Sequence, residues 1–199
     1  MGSEMCIRDS RRDCMCVGET SFVTTQNAGS VVDDGRELDM LFQFDVMDMD
    51  SGETKWDARP FDLMRFKQII SAWQAAIGWN TLFWGNHDQP RLVSRFGCTR
   101  TETLRRRSAT CLATAMYLLR GTPFLYQGEE IGMTNWRPER ADMYEDVQTR
   151  NQHPDWPEEK RLALYHRASR DSARTPVQWT DGEHAGFTTG TPWFYVNEN

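Results

Sequence analysis

Apolar residues recur along the chain with two different periods. Short, nearly continuous apolar runs stand at Cys14–Glu19 (CMCVGE), Leu38–Asp48 (LDMLFQFDVMD), Asn80–Asn86 (NTLFWGN) and Phe124–Glu130 (FLYQGEE). Runs of that length with little alternation are expected of strands covered on both faces. Between them the period lengthens. Leu63, Phe66, Ile70, Trp73 and Ile77 fall at steps of three and four, which predicts a helix over 62–79 with one buried stripe, and Trp73 and Trp79 as core. A second helix is predicted over 105–120, with Cys111, Ala115, Leu118 and Leu119 turned inward and Gly121-Thr122-Pro123 as its stop. The resulting order is strand, strand, helix, strand, helix, strand. Strands alternating with helices imply βαβ units and a parallel sheet.

The ends of these runs are unusual. Each predicted strand finishes on polar residues: Glu19, then Asp45 and Asp48, then Asn86-His87-Asp88, then Gln127, Glu129 and Glu130. In a parallel barrel that edge is where a site is built. The pattern fits either part of a barrel or an open doubly wound sheet. From Trp136 to Trp156 the chain is polar and dotted with proline, which reads as a surface excursion. The Gly-, Thr- and Pro-rich tail from Ser169 reads as an ordered loop packed by Trp179, Phe187 and Trp193. Arg105–Arg107 reads as a solvated helix start, and Met47–Asp50 as a strand end running into solvent.

Composition narrows the chemistry. The 199 residues carry 29 acidic and 23 basic side chains, a net charge of −6. That balance argues against a nucleic-acid or membrane surface, which wants a basic stripe. No apolar run approaches the ~20 residues of a membrane helix. The five cysteines are an odd count at irregular spacing, and read as free thiols in a reducing cytoplasm. There is no G-x-G-x-x-G, Walker or G-x-S-x-G pattern and no metal-ligand spacing. No cofactor is implied. Paired carboxylates remain, and glycoside hydrolysis uses such pairs: one carboxyl protonates the leaving oxygen while another attacks or steadies an oxocarbenium-like centre. Partial burial of Glu19 would suit it to the acid's role.

Longer stretches carry a resemblance. FWGNHDQPRLVSRFG (Phe83–Gly97), GTPFLYQGEEIGMTN (Gly121–Asn135), SRDSARTPVQW with HAGFTTGTPW downstream, and CVGET (Cys16–Thr20) are similar to the α-amylase family of glycoside hydrolases. Within it they resemble the oligo-1,6-glucosidase, α-glucosidase and trehalose-6-phosphate hydrolase subgroup. The resemblance runs from Cys14 to Asn199. It implies an α/β fold, a partial TIM (β/α)8 barrel comprising strands five to eight, without the first half or the C-terminal β-domain. It implies a small oligosaccharide as substrate and a cytoplasmic enzyme.

By the same resemblance Glu19 is the general acid/base. Asp88 is a third carboxylate holding ring hydroxyls, aided by His87. Arg174 contacts substrate, and Glu130 lies towards the leaving group. Glu129, on the residues alone, reads as a loop cap. The family's nucleophile, an Asp in a G-x-R-x-D strand, has no counterpart: the 18 residues before Glu19 offer only Asp9 and Asp13. The expectation is therefore a marginally stable, inactive chain. Residues 1–10, MGSEMCIRDS, resemble translated sequencing-adapter sequence and read as non-native, leaving 11–199 as the barrel segment.

Overall fold

A computed structural model describes residues 15–32 and 37–197. The segment 1–10, Cys6 and Cys14 lie outside the described residues. Among the described residues four short strands and six α-helices follow in order: β1 (Val17–Glu19), α1 (Ala28–Val32), β2 (Met40–Phe42), α2 (Leu63–Ala76), β3 (Thr81–Leu82), α3 (Leu92–Phe96), α4 (Glu102–Tyr117), β4 (Thr122–Pro123), α5 (Val147–Arg150) and α6 (Glu158–Ala168).

β1 pairs parallel with β2, Gly18 opposite Leu41, and β3 pairs parallel with β4, Thr81 opposite Thr122. The two ladders meet through a side chain: Thr81 Oγ1 donates to Leu41 O at 2.5 Å. The parallel reading of the strands therefore holds, with the order β1-β2 and β3-β4.

The strands are shorter than the apolar runs that announced them. After Phe42 the run Gln43–Asp48 leaves the ladder, and Asp48 N–H bonds back to Phe44 O in a turn. Val46, Met47 and Met49 are buried there all the same, so Met47–Asp50 does not run into solvent. The fourth run is likewise no strand. Phe124 N–H still reaches Leu82 O, but Gly128 at φ 91° turns the chain, and Phe124–Glu130 coils over the strand end. A continuous apolar run fits a buried turn as well as a buried strand, because both are covered on all sides.

The helices sit near their predicted positions; α2 buries its predicted stripe apart from Leu63, whereas α4 turns a different face inward. Asp62 caps α2, its carboxylate accepting from the N–H groups of Met64 and Arg65. Phe66, Trp73 and the following Ile77 are buried, whereas Leu63 is exposed. Trp79 is also exposed, its indole N–H held by Thr122 Oγ1 at 2.9 Å, so it is no core residue. In α4 the inward face carries Arg105 and Met116, while Cys111 and Leu118 face out. Arg105 is thus no solvated start: it donates to Ile131 O, Gly132 O and the Glu102 carboxylate.

Two apolar clusters flank the sheet. One joins Phe66, Leu82, Trp84, Leu92 and Met116; the other joins Ala28, Leu41, Trp73 and Ile77. A third cluster, Trp136, Ala141, Tyr144, Tyr165 and Phe194, organises the supposed surface excursion into a small lobe. Aromatic edges close it, Trp136 against Phe194 at 5.0 Å and Tyr144 against Tyr165 at 5.4 Å. The tail does not pack by its aromatics as expected, for Trp179, Phe187 and Trp193 are exposed.

Burial sets the cost of truncation. Leu41→Ala, at a site 1% exposed, is expected to cost about 2–5 kcal/mol in urea unfolding. Leu63→Ala, at a site 58% exposed, should change stability by no more than about 0.5 kcal/mol. Equal losses would show that the α2 face is misassigned.

Candidate active site

The stretch GNHDQPR is a turn built to lift two side chains off the sheet. Trp84 before it is fully buried. Gly85 then passes so close to Glu129 that a Cβ there would lie 2.2 Å from Glu129 Oε1, so a larger residue would displace that carboxyl. Asn86 Oδ1 accepts the Asp88 N–H at 2.9 Å, closing a local turn that places His87 and Asp88 at its crest. Arg91 anchors the far end. It is 2% exposed, its N–H bonds Asn135 Oδ1 at 2.7 Å, and its Nη1 donates to Gln127 O at 2.5 Å.

Two arginines converge on Asp88. Arg170 Nη1 donates to Asp88 Oδ1 at 2.9 Å, and Arg174 Nη2 donates to the same oxygen at 2.7 Å. Arg174 Nε also donates to His87 O at 2.9 Å. The other oxygen, Oδ2, lies 3.6 Å from His87 Nε2. Both arginines flank one 3₁₀ turn, Arg170–Ala173, capped by Ser169 Oγ. Burial alone would raise the Asp88 carboxyl. The Arg170 hydrogen bond and the charges of His87, Arg170 and Arg174 outweigh it and hold Asp88 below the usual carboxylate range.

Glu19 joins this group across a cleft of about 390 Å³ lined by Glu19, Phe42, Phe83, Asn86, His87 and Tyr126. The floor is aromatic, with Phe42 edge-on to Phe83 at 4.7 Å and to Phe124 at 4.8 Å. Glu19 itself is exposed, so the partial burial expected of it is not found among the described residues. The fold therefore brings Glu19 and His87 to one cleft, with Asp88 and Arg174 bonded beside His87. It does not bring Glu130 there. Glu130 turns back to accept the Gly128 N–H at 2.7 Å and lines a different, larger groove of about 1040 Å³ along α4. Among the described residues no group of three His, Cys, Asp or Glu could hold a metal ion.

Two participants, Arg170 and Asp146, escaped the sequence reading. They escaped because their partners are remote in the chain; the repeat of Arg four positions apart in RDSAR was the only local sign. Glu129 is more than a loop cap. It lies against Gly85 and accepts the Tyr126 N–H at 3.3 Å. Burial pushes its carboxyl up to about 7, against the pull of the Tyr126 N–H and the Arg91 charge.

The alpha-amylase catalytic-domain family matches residues 2–199. An oligo-1,6-glucosidase of Bacillus cereus is 48% identical over 96% of the chain, and a trehalose-6-phosphate hydrolase of Bacillus subtilis 44% identical over 96%. The chain spans 36% of the length of each. Among solved structures, a trehalulose synthase from Pseudomonas mesoacidophila superposes with a TM-score of 0.86 at 40% identity, over 94% of this chain and 35% of that one. A Bacillus licheniformis trehalose-6-phosphate hydrolase gives 0.86 at 42%, over 96% of this chain and 36% of that one.

The raised Glu129 carboxyl ties stability to pH. A folded value near 7 above an ordinary 4.5 gives stability that is fully present below about 4.5 and lost as pH rises through about 7. Urea midpoints should therefore fall between pH 5 and pH 8, and Glu129→Gln should flatten that fall. An unchanged slope in Glu129→Gln would place the titration elsewhere. By sequence and by superposition, this chain belongs to the alpha-amylase catalytic-domain family.

Proposed function

We propose that this chain supplies part of the catalytic barrel of a retaining glycoside hydrolase, contributing strands five to eight. The enzyme cleaves terminal α-glucosidic bonds, α-1,6 or α-1,4, in short oligosaccharides. The observation that carries this reading is His87, on the same cleft as Glu19 and next to Asp88, which two arginines hold. The names of the relatives, oligo-1,6-glucosidase and trehalose-6-phosphate hydrolase, support the substrate class.

The chemistry divides between the carboxylates. Glu19 at the exposed rim is the acid that protonates the leaving glycosidic oxygen, and then the base that activates water. Asp88 stays charged, accepts ring hydroxyls through Oδ2 and offsets the positive charge that develops on the sugar. His87 donates to a neighbouring hydroxyl. Arg174, one-third exposed at its side chain, reaches the same sugar. The aromatic floor of Phe42, Phe83 and Phe124 covers the apolar face of the ring. A retaining pathway also needs a nucleophilic carboxylate. No residue of this chain is assigned that role, and the 199-residue chain alone is expected to turn over no α-glucoside.

The test is made on the whole enzyme. Glu19→Gln should lower kcat/KM on isomaltose by about 10²–10⁴-fold. It should lower kcat/KM, which reports the glycosylation step, much less on 4-nitrophenyl α-glucoside, whose leaving group needs little protonation. Equal losses on the two substrates would remove Glu19 from the acid's role. Faster turnover of trehalose-6-phosphate than of isomaltose would move the substrate within the class and leave the chemistry intact.

A further inference from the structure

Arg170 has a role that neither the motifs nor the family assignment gives it. Its guanidinium spans two carboxylates. Nη1 donates to Asp88 Oδ1 at 2.9 Å and Nε donates to Asp146 Oδ1 at 2.8 Å. Asp146 is itself immobilised. Its side chain is 5% exposed, and its second oxygen receives the Thr149 N–H at 2.9 Å and the Thr149 hydroxyl at 2.7 Å. Thr149 and Ser169 are both fully buried and share a hydroxyl contact of 2.8 Å. Asp171 closes the loop by accepting the backbone N–H groups of Glu145 and Asp146, each at 2.8 Å. The turn that carries Arg170 thus fixes the backbone that carries Asp146, and Asp146 fixes Arg170.

Arg174 is placed differently. It bonds Asp88 and the His87 carbonyl, and its side chain is 33% exposed against 21% for Arg170. A ligand can draw Arg174 away. It cannot draw Arg170 away without breaking the bond to Asp146.

We propose that Arg170 is a positioning residue for Asp88, holding Oδ1 towards the lobe and leaving Oδ2 for His87 and the sugar. The proposal rests on the glycosidase reading for its consequence in catalysis, but not for its geometry. The fork geometry of a guanidinium matters, because a lysine ammonium is a single point and cannot hold both carboxylates in fixed directions. The charged groups facing Asp88 are His87, Arg170 and Arg174, and Asp146 and Lys55 stand behind Arg170.

The experiment compares wild type, Arg170→Lys and Arg170→Met in the whole enzyme. Three quantities are read on each: the ¹³C carboxyl titration of Asp88 without substrate, the pH profile of kcat/KM on isomaltose, and the melting temperature. Arg170→Met should raise the Asp88 midpoint by about one pH unit, the usual effect of losing one adjacent arginine. The acid limb of the profile should move up with it. kcat should fall about 10²-fold, the order expected for a misplaced reacting group, with KM changing less. Arg170→Lys should recover part of the titration shift and little of kcat.

A lowered melting temperature with an unmoved Asp88 midpoint and an unmoved acid limb would overturn the proposal, leaving Arg170 as a tie that only docks the lobe. A moved midpoint in a protein that hydrolyses no α-glucoside in any form would overturn the glycosidase reading and keep the positioning role. If Arg170→Met fails to fold, the Arg170→Lys titration decides in the same way.

Discussion

One carboxylate oxygen, Asp88 Oδ1, carries two guanidinium groups, and the candidate site is organised around that point. Two cations so close together would repel without an anion between them. With Asp88 between them and Asp146 behind Arg170, two negative charges meet two positive ones, and the cluster is neutral. Partial burial strengthens each contact, because fewer waters screen it. Lys55 adds a further positive charge at the edge. Burial and the Arg170 charge push its ammonium below the usual lysine range, so its charge is the least secure of the group. The lobe of Trp136, Tyr144, Tyr165 and Phe194 supplies both arginines, while the sheet supplies Asp88. The ion cluster is therefore also the seam between the two.

The floor of the site depends on a second close approach. Gly85 rests on Glu129, Tyr126 N–H is tied to the same carboxyl, and the Tyr126 hydroxyl donates to Ala173 O at 3.0 Å. The turn bearing His87 and Asp88 is thus braced from below by the coil after β4 and from the side by the turn that bears Arg174. Neither brace is long-range electrostatics. Both are backbone groups satisfied at short distance, which is how a loop holds a fixed shape without regular structure.

Much of this was legible in the sequence, for physical reasons that differ from residue to residue. The turns could be located because a buried run must stop at one, and Gly85-Asn86 and Gly128 have the turn chemistry; the strand ends could not, because β2, β3 and β4 stop short of them. The grouping of Glu19, His87, Asp88 and Arg174 followed from the resemblance and from the parallel order of the strands. Glu130 did not follow, because one residue past Gly128 the direction of a side chain is set by the turn and not by the run before it. The lobe was hidden for another reason. Trp136 and Phe194 are far apart in sequence, and the polar residues between them set the local average. Arg170 and Asp88 are 82 positions apart, so no spacing could pair them. Arg105 shows the opposite error: a run of three arginines looks solvated, yet the first is buried because two carbonyls and a carboxylate surround it.

That separation along the chain bears on how such barrels diverge. The Asp88 turn and the turn bearing Arg170 and Arg174 touch in space but are encoded far apart. A crossover between two related genes falling anywhere in the intervening segment draws the carboxylate from one parent and its guanidinium pair from the other. Such hybrids keep every secondary-structure element and still bring together ion partners with no shared history. Viable recombinants should therefore be those whose breakpoints lie outside that interval. The interval from the Asp88 turn to the Arg174 turn would then be inherited as one block.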